Sequence, residues 1–221
     1  MTHPTFISSS PLPSHLIDRA EMIPYGHGSF IVRGKRFDVL NARGTIGGRQ
    51  DLANKLGVKA WVDQHLNAST NRDARYACAF IAANAAPGSQ EFARAYVLEC
   101  VGLLGHPNGG VHVGPSNSAR MRCPAFLAEP GFLSNPGFAA RVKTGEGTEA
   151  VARCLVQAVT KTLPGGGLVG LSVGHAYRGN NDPGAPAYRD PEGVEDPAYD
   201  DEAEIADGIV NLATELLVSI P

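Results

Sequence analysis

The chain has 221 residues, 43% of them hydrophobic and 19% charged, which suits one globular domain with its own core and excludes disorder over most of its length. A net charge of -3 and a pI near 6.1 exclude the general attraction to nucleic acid or anionic lipid that a strongly basic chain has. No apolar run approaches the roughly 20 residues that span a bilayer, and residues 1–13 lack the basic head and apolar stretch of a secretory signal. The expectation is therefore a soluble chain made in the cytoplasm, with no membrane span and no nucleic-acid partner. Cys78, Cys100, Cys123 and Cys154 are widely separated among apolar neighbours, with no CxxC or CxxH pair, and are expected as buried free thiols.

Residues 1–20, rich in Ser, Pro and Thr, predict a surface arm, and residues 21–221 a single domain. Strand-like stretches at 29–32 and 36–40 flank Gly34-Lys35 as a hairpin, and 50–56 predicts a short helix. Residues 59–67 form a buried strand ending in polar groups, and 76–82 a second apolar strand. Ser89 opens a helix through residue 104, with Glu91 early in it near a capping-box arrangement. Residues 124–129 are a third strand with a charged end. An amphipathic helix follows at 147–163, where Val151, Leu155, Ala158 and Thr162 share a face. Pro164-Gly-Gly-Gly167 is the clearest break, and 168–173 is the short continuous apolar run of a central strand in a covered sheet. That run ends at Gly174-His175. A loop rich in Pro, Gly and Asp at 179–199 leads to a last helix near Asp200, with Ile205, Ile209, Leu212 and Leu216 at helical spacing. Alternating strands and helices predict an α/β fold: a single three-layer domain whose twisted, mostly parallel or mixed sheet is flanked by helices.

Three of the predicted strands stop at a residue able to do chemistry: His65, Glu129 and His175. Ligands of open α/β sheets sit beyond the carboxyl ends of strands, so these side chains converge if those ends lie together. Glu204, in the first turn of the last helix, completes a two-His, one-carboxylate set. Zinc accepts imidazole nitrogen and carboxylate oxygen at about 2.0–2.2 Å, and a catalytic site has three protein ligands and an open position for water. Glu129 is then left free as a general base. Each residue also has a plainer role: a hydrogen-bonded structural histidine, a surface carboxylate at a strand end, or a first-turn glutamate favouring the helix dipole.

The wording around these residues sharpens the pattern. Gly174-His175 followed by Asn181-Asp-Pro-Gly-Ala185 resembles the GHGG-x-DPGA opening of the zinc-dependent N-acetylmuramoyl-L-alanine amidases called amidase type 3. Val62-Asp-Gln-His-Leu-Asn-Ala68 is similar to that family's SxHxNA strand, and Ala128-Glu-Pro-Gly-Phe-Leu-Ser-Asn135 to its E-x-GFLSN segment. The resemblance runs from about Asp38 to Leu217. It implies Zn2+ held by His175, Glu204 and His65, with Glu129 as the catalytic base. Asn67 and Asn135 would orient ligands or hold substrate. The implied reaction is hydrolysis of the amide between N-acetylmuramic acid and L-alanine in bacterial peptidoglycan, with a muropeptide as the bound partner.

Several features depart from the family pattern. The GH strand and its glutamate helix come first there and last here, which implies a circular permutation with residues 164–167 joining the ancestral termini. Such a link costs little where the ends of a domain lie close together. The helix glutamate follows the histidine at about twice the family distance, so 179–199 is read as an insertion. Glu204 is preferred because Ile209, Leu212 and Leu216 then fall where the family helix is buried; Glu202, Glu195 and Glu192 follow in that order. Ala176 replaces a family glycine and Pro130 follows Glu129; neither removes a ligand. Tyr25-Gly-His27-Gly28 imitates a GHG motif, but no strand precedes it. His106 and His112 lie in a Gly-rich loop and are expected in structural or solvent-facing roles. A lytic enzyme of phage or prophage origin is the expected setting, against two rivals: a zinc peptidase acting on another amide, and an inactive wall-binding or particle component.

Overall fold

In the computed structural model, which describes residues 19–23, 28–114, 116–175, 184 and 201–221, an antiparallel meander opens the fold. It consists of β1 (Ala20–Met22), β2 (Phe30–Val32) and β3 (Phe37–Ala42), with Phe30 opposite Asn41 and Val32 opposite Val39. The hairpin expected around Gly34 is thus present. Helix α1 (Ile46–Leu56) starts earlier than expected because Thr45 caps it, its hydroxyl accepting from the Gly48 amide at 3.2 Å. There follow β4 (Ala60–Gln64), β5 (Ala77–Ile81), α2 (Ser89–Leu104), β6 (Asn108–Val113) and β7 (Ala125–Glu129). The chain continues through α3 (Pro136–Val142), α4 (Gly145–Thr162), β8 (Gly167–Val173) and α5 (Glu202–Val218).

All eight strands belong to one sheet in the order β1-β2-β3-β8-β4-β7-β5-β6. Neighbours from β3 to β7 run parallel, β5 is antiparallel to β7, and β6 is parallel to β5. The sheet is therefore mixed and the fold α/β. The last strand, β8, lies in the middle, between β3 and β4. Its inward residues Val169, Leu171 and Val173 are fully buried, as a strand covered on both faces requires.

Alternation along each strand divides the core between two faces. On one, Val62, Phe126, Leu171 and Ala79 meet α2, α4 and α5, with Phe92 edge-to-face on Phe126 at 4.7 Å. On the other, Leu40, Trp61 and Ala125 meet α1 through Ala53. Strands β1 and β6, helix α3 and a 3-10 turn at Asn117–Arg120 escaped the sequence reading. β6 was expected as loop, since Gly109-Gly110 interrupts its alternation; pairing with β5 makes it a strand. Helix α3 is only seven residues long, but its signal was present: Asn135 accepts from the Phe138 amide and Pro136 follows the cap. The capping box expected at the start of α2 does not form; Gly88 precedes the helix and the Ser89 hydroxyl donates to the Ala86 carbonyl.

The four cysteines are buried and free, and burial raises the Cys78 thiol to about 12 and the Cys123 thiol to about 11. Among the described residues no helix is long and apolar enough to cross a membrane.

Helix α5 is fastened to β3 by polar contacts inside the core. Arg43 Nη2 lies 3.0 Å from Asp207 Oδ1, with only 6% and 2% of the two side chains exposed. Asn211 donates to Asp207 Oδ2 and accepts from Asn41, each at 3.3 Å. Removing one partner of a buried pair strands a charge in the core, at a cost of about 3–5 kcal/mol. Asp207→Ala is expected to lose stability on that scale in chemical denaturation. Adding Arg43→Met should recover much of it; a loss under 1 kcal/mol for the single variant would show the pair to be immaterial.

Candidate metal centre and active site

The parallel register brings the predicted residues to one edge of the sheet. Gln64 sits opposite Val173 on β8 and opposite Ala128 on β7, so His65, His175 and Glu129 leave adjacent strands at nearly the same level. The His65 amide donates to the Ala128 carbonyl at 3.0 Å and the Gly174 amide to the Gln64 carbonyl at 2.8 Å, which extends the pairing to the site itself. The imidazoles of His65 and His175 meet edge-on, ring centroids 4.9 Å apart at 80°. His175 has φ +63°, the left-handed region that a residue with a Cβ enters at a cost of order 1 kcal/mol or more. A Cβ at Gly174 would stand 2.4–2.7 Å from the His65 ring, so glycine is what lets the two histidines close up.

The carboxylate that joins them is Glu202. Its Oε1 lies 3.0 Å from His65 Nδ1 and 3.3 Å from His175 Nε2, and accepts from the Leu66 amide at 3.1 Å. Ligand atoms of His65, His175 and Glu202 all lie within 4.8 Å of one another. The expectation that Glu204 fills this place is corrected: Glu204 is not in the cluster. The physical reason is helix phase. The fully buried stripe of α5 is Ala206, Ile209, Val210, Ala213 and Leu217, whereas Leu212 and Leu216 are only partly buried. A helix turns 100° per residue, so Glu202 shares the stripe of Ala206 and Glu204 points roughly 200° away from Glu202. Alanines at 206 and 213 carried the true phase, which the larger leucines obscured. Asp201 caps the helix by accepting from the Glu204 amide at 3.1 Å. Gly184, in the Asp182-Pro-Gly-Ala185 motif, packs on the same cluster at φ +77°; a Cβ there would lie 2.6 Å from Glu202 Oε2 and 2.8 Å from the His175 ring.

The donor set fits a zinc ion. At bonds near 2.0–2.2 Å, two ligands of a tetrahedral ion stand about 3.3–3.6 Å apart, close to the 3.0 and 3.3 Å separations around Glu202 Oε1. The electrostatics favour a cation, since Asp63, Glu129 and Glu202 crowd around the histidines. For His65 burial alone would lower the pKa, but Asp63 and Glu202 outweigh it and hold the ring up at about 10. Glu129 is the free carboxyl: its Oε2 is shielded from solvent and has no hydrogen-bond partner among the described residues. Burial pushes that carboxyl up to about 8, opposed by His65 and His175 and aided by Glu202 and Asp63.

The other sequence candidates make the following local contacts. Asn135 caps α3 and donates to the Arg72 carbonyl at 2.8 Å. Asn67 bridges to Phe132 as a one-residue extension of the sheet and donates to Cys78 Sγ at 3.8 Å. His106 Nδ1 lies 2.8 Å from the Pro130 carbonyl and holds the segment behind Glu129; burial is the main cause of its lowered pKa. His112 packs on Phe80 at the far edge. The decoy His27, the alternatives Glu192 and Glu195, and residues 179–183 and 185–199 of the expected insertion lie outside the described residues.

The chain is similar to several solved amidases. The catalytic domain of CwlV from Bacillus (Paenibacillus) polymyxa var. colistinus is 22% identical with a TM-score of 0.49, over 55% of this chain and 66% of that one. The N-acetylmuramoyl-L-alanine amidase from Clostridium difficile 630 is 26% identical with a TM-score of 0.51, over 54% and 66%. For the N-acetylmuramyl-L-alanine amidase from Mycobacterium smegmatis the values are 21%, 0.50, 54% and 60%. The chain thus spans 60–66% of the length of these three solved relatives. No curated protein sequence matches significantly. The model of the family described as N-acetylmuramoyl-L-alanine amidase matches residues 25–161, more than half of the chain. The chain belongs to the N-acetylmuramoyl-L-alanine amidase family.

Proposed function

We propose that this chain is a zinc-dependent hydrolase that cuts the amide joining the lactyl group of N-acetylmuramic acid to the L-alanine of the peptidoglycan stem. The observation that carries the reading is one cluster: His65, His175 and Glu202 with ligand atoms within 4.8 Å, and a buried carboxyl at Glu129 on the neighbouring strand. The names of the solved relatives and the matched family support the substrate.

His65 Nδ1, His175 Nε2 and Glu202 would hold the ion. When bound, zinc supplies a lowered pKa for water and a polarised scissile carbonyl. Glu129 Oε2 takes the proton of the attacking water as the new C–O bond forms. It returns that proton to the departing nitrogen as the C–N bond breaks, leaving a lactyl carboxylate and a free alanine amine. A buried carboxyl, for which the protonated form is cheap, suits a group that must hold a proton between two steps.

The chain order is read as a circular permutation. β8 is last in sequence yet central in the sheet, and the family match stops at residue 161, upstream of β8 and α5. Arg19 Nη2 donates to the Val218 carbonyl at 3.4 Å, so the ends of the described fold are neighbours. The 164–167 link is pinned, since Arg36 donates to the Pro164 carbonyl at 2.5 Å and accepts from the Gly167 amide at 2.9 Å.

Three experiments test these assignments. Glu129→Gln should keep a full complement of zinc while release of new amino-terminal alanine from purified peptidoglycan falls by about 10²–10⁴-fold; wild-type release would remove Glu129 from the base role, and release of another terminus would point to a different amide. Metal analysis should find zinc lost from His65→Ala, His175→Ala and Glu202→Ala but retained by Glu204→Ala; the reverse for the two glutamates would restore Glu204 as ligand. A chain reopened at residue 165, with residue 221 joined to 19 by a short Gly-Ser linker, should fold and bind zinc as the parent does. Failure of that chain to fold would count against the permutation.

A further inference from the structure

Behind His65, on the side away from Glu202, lies a buried polar chain that the reaction above does not use. Asp63 and His65 are two residues apart at the end of β4 and so point to the same face. Asp63 Oδ2 stands 3.5 Å from His65 Nε2, with 2% and 9% of the two side chains exposed. The other oxygen, Oδ1, accepts from the Ser172 hydroxyl at 2.7 Å and lies 3.8 Å from Arg49 Nη1. Arg49 Nη1 in turn donates to Ser172 Oγ and to the Val173 carbonyl, each at 2.5 Å. Residue 172 is directly opposite 63 in the β4–β8 register, so the two strands that end in the histidines also carry this brace, and α1 supplies its cation.

The arrangement is costly unless it has a use. A carboxylate and a guanidinium have both been taken from water, and an apolar pair of the same volume would serve packing as well. At 3.5 Å the Asp63–His65 contact is an ion-pair distance longer than a formed hydrogen bond. His65 Nε2 is itself buried with no hydrogen-bond partner among the described residues, so Asp63 has no competitor for it. An imidazole binds a metal through one nitrogen and carries its proton on the other, and a carboxylate beside the second nitrogen decides which is which. Here Nδ1 already faces Glu202 Oε1 at 3.0 Å.

We propose that Asp63, braced by Ser172 and Arg49, is a positioning residue that keeps the His65 proton on Nε2 and so presents Nδ1 to the ion. The role rests on the reading of His65, His175 and Glu202 as a metal site. It also gives the aspartate at position 63, where the resembled SxHxNA motif has serine, a task of its own. Arg49 fixes the direction of the Asp63 carboxylate from α1, so the ligand's orientation is set by two strands and a helix together.

The test measures zinc affinity by competition with a chromophoric chelator, and the visible absorption of the cobalt-loaded protein, for the wild type, Asp63→Asn and Ser172→Ala. Expected are a loss of about 10–100-fold in affinity for Asp63→Asn, altered cobalt bands, and a smaller loss for Ser172→Ala, which loosens the brace but keeps the carboxylate. Wild-type affinity and unchanged cobalt bands in Asp63→Asn would overturn the proposal, even if that variant melted at a lower temperature, because a purely structural role moves stability alone. Should Asp63→Asn fail to fold, Ser172→Ala decides: unchanged affinity and bands overturn it. A wild-type protein that takes up neither zinc nor cobalt would defeat the metal reading and this proposal together, an outcome distinct from failure of the Asp63 role.

Discussion

Parallel pairing of β8, β4 and β7 governs everything at the site. Two histidines and a glutamate emerge side by side because Gln64 is level with both Val173 and Ala128. Left to themselves, several acidic groups would neither gather in a buried place nor stay close once there. The strand hydrogen bonds, each worth about 1 kcal/mol net, resist that repulsion collectively and cannot yield one at a time. Because side chains alternate, a slip of one residue in β4 would send His65 and Asp63 to the opposite face and put Gln64 or Leu66 in the place of His65. Glu202, by contrast, depends on the docking of α5, which apolar packing and the Arg43–Asp207 pair secure.

Much of this was legible in the chain. A buried strand with a polar end at 59–67 and a continuous apolar run at 168–173 identified β4 and β8, and a chemically able residue at the end of each pointed to the candidate site before any pairing was known. Helix α2 matched residue for residue, because its length gives a 3.6-residue period room to declare itself. The failures have a common physical origin, namely signals that local sequence does not contain. β6 is a strand only because β5 is beside it, and glycines weaken its own pattern. The phase of α5 was misjudged because size was taken as the mark of burial. Two alanines lie deeper than two leucines where the helix approaches the sheet closely.

Chain order and site geometry are nearly independent in such a fold. What the ion would meet is a set of strand ends, and a strand in mid-sheet presents the same end whether it is made first or last. The order matters for folding instead. β3 and β4 must leave a gap that β8 fills late, after a large fraction of the chain, so a contact at the centre of the sheet joins residues more than a hundred apart. Long-range closure of this kind slows folding without altering the stability of the final state.

The four thiols, all buried and none joined to another, make the molecule its own reporter. Burial keeps all four from reagents, and it raises the pKa of Cys78, Cys100 and Cys123, so that thiolate, the form that reacts, is scarce there while the fold is closed. They are also dispersed: Cys78 borders Glu129, Cys123 lies under the α1 face, and Cys100 and Cys154 sit together between α2 and α4. An alkylating reagent applied to the native protein therefore reads out how often each region opens, and mass spectrometry can assign every event to its layer without any engineered cysteine.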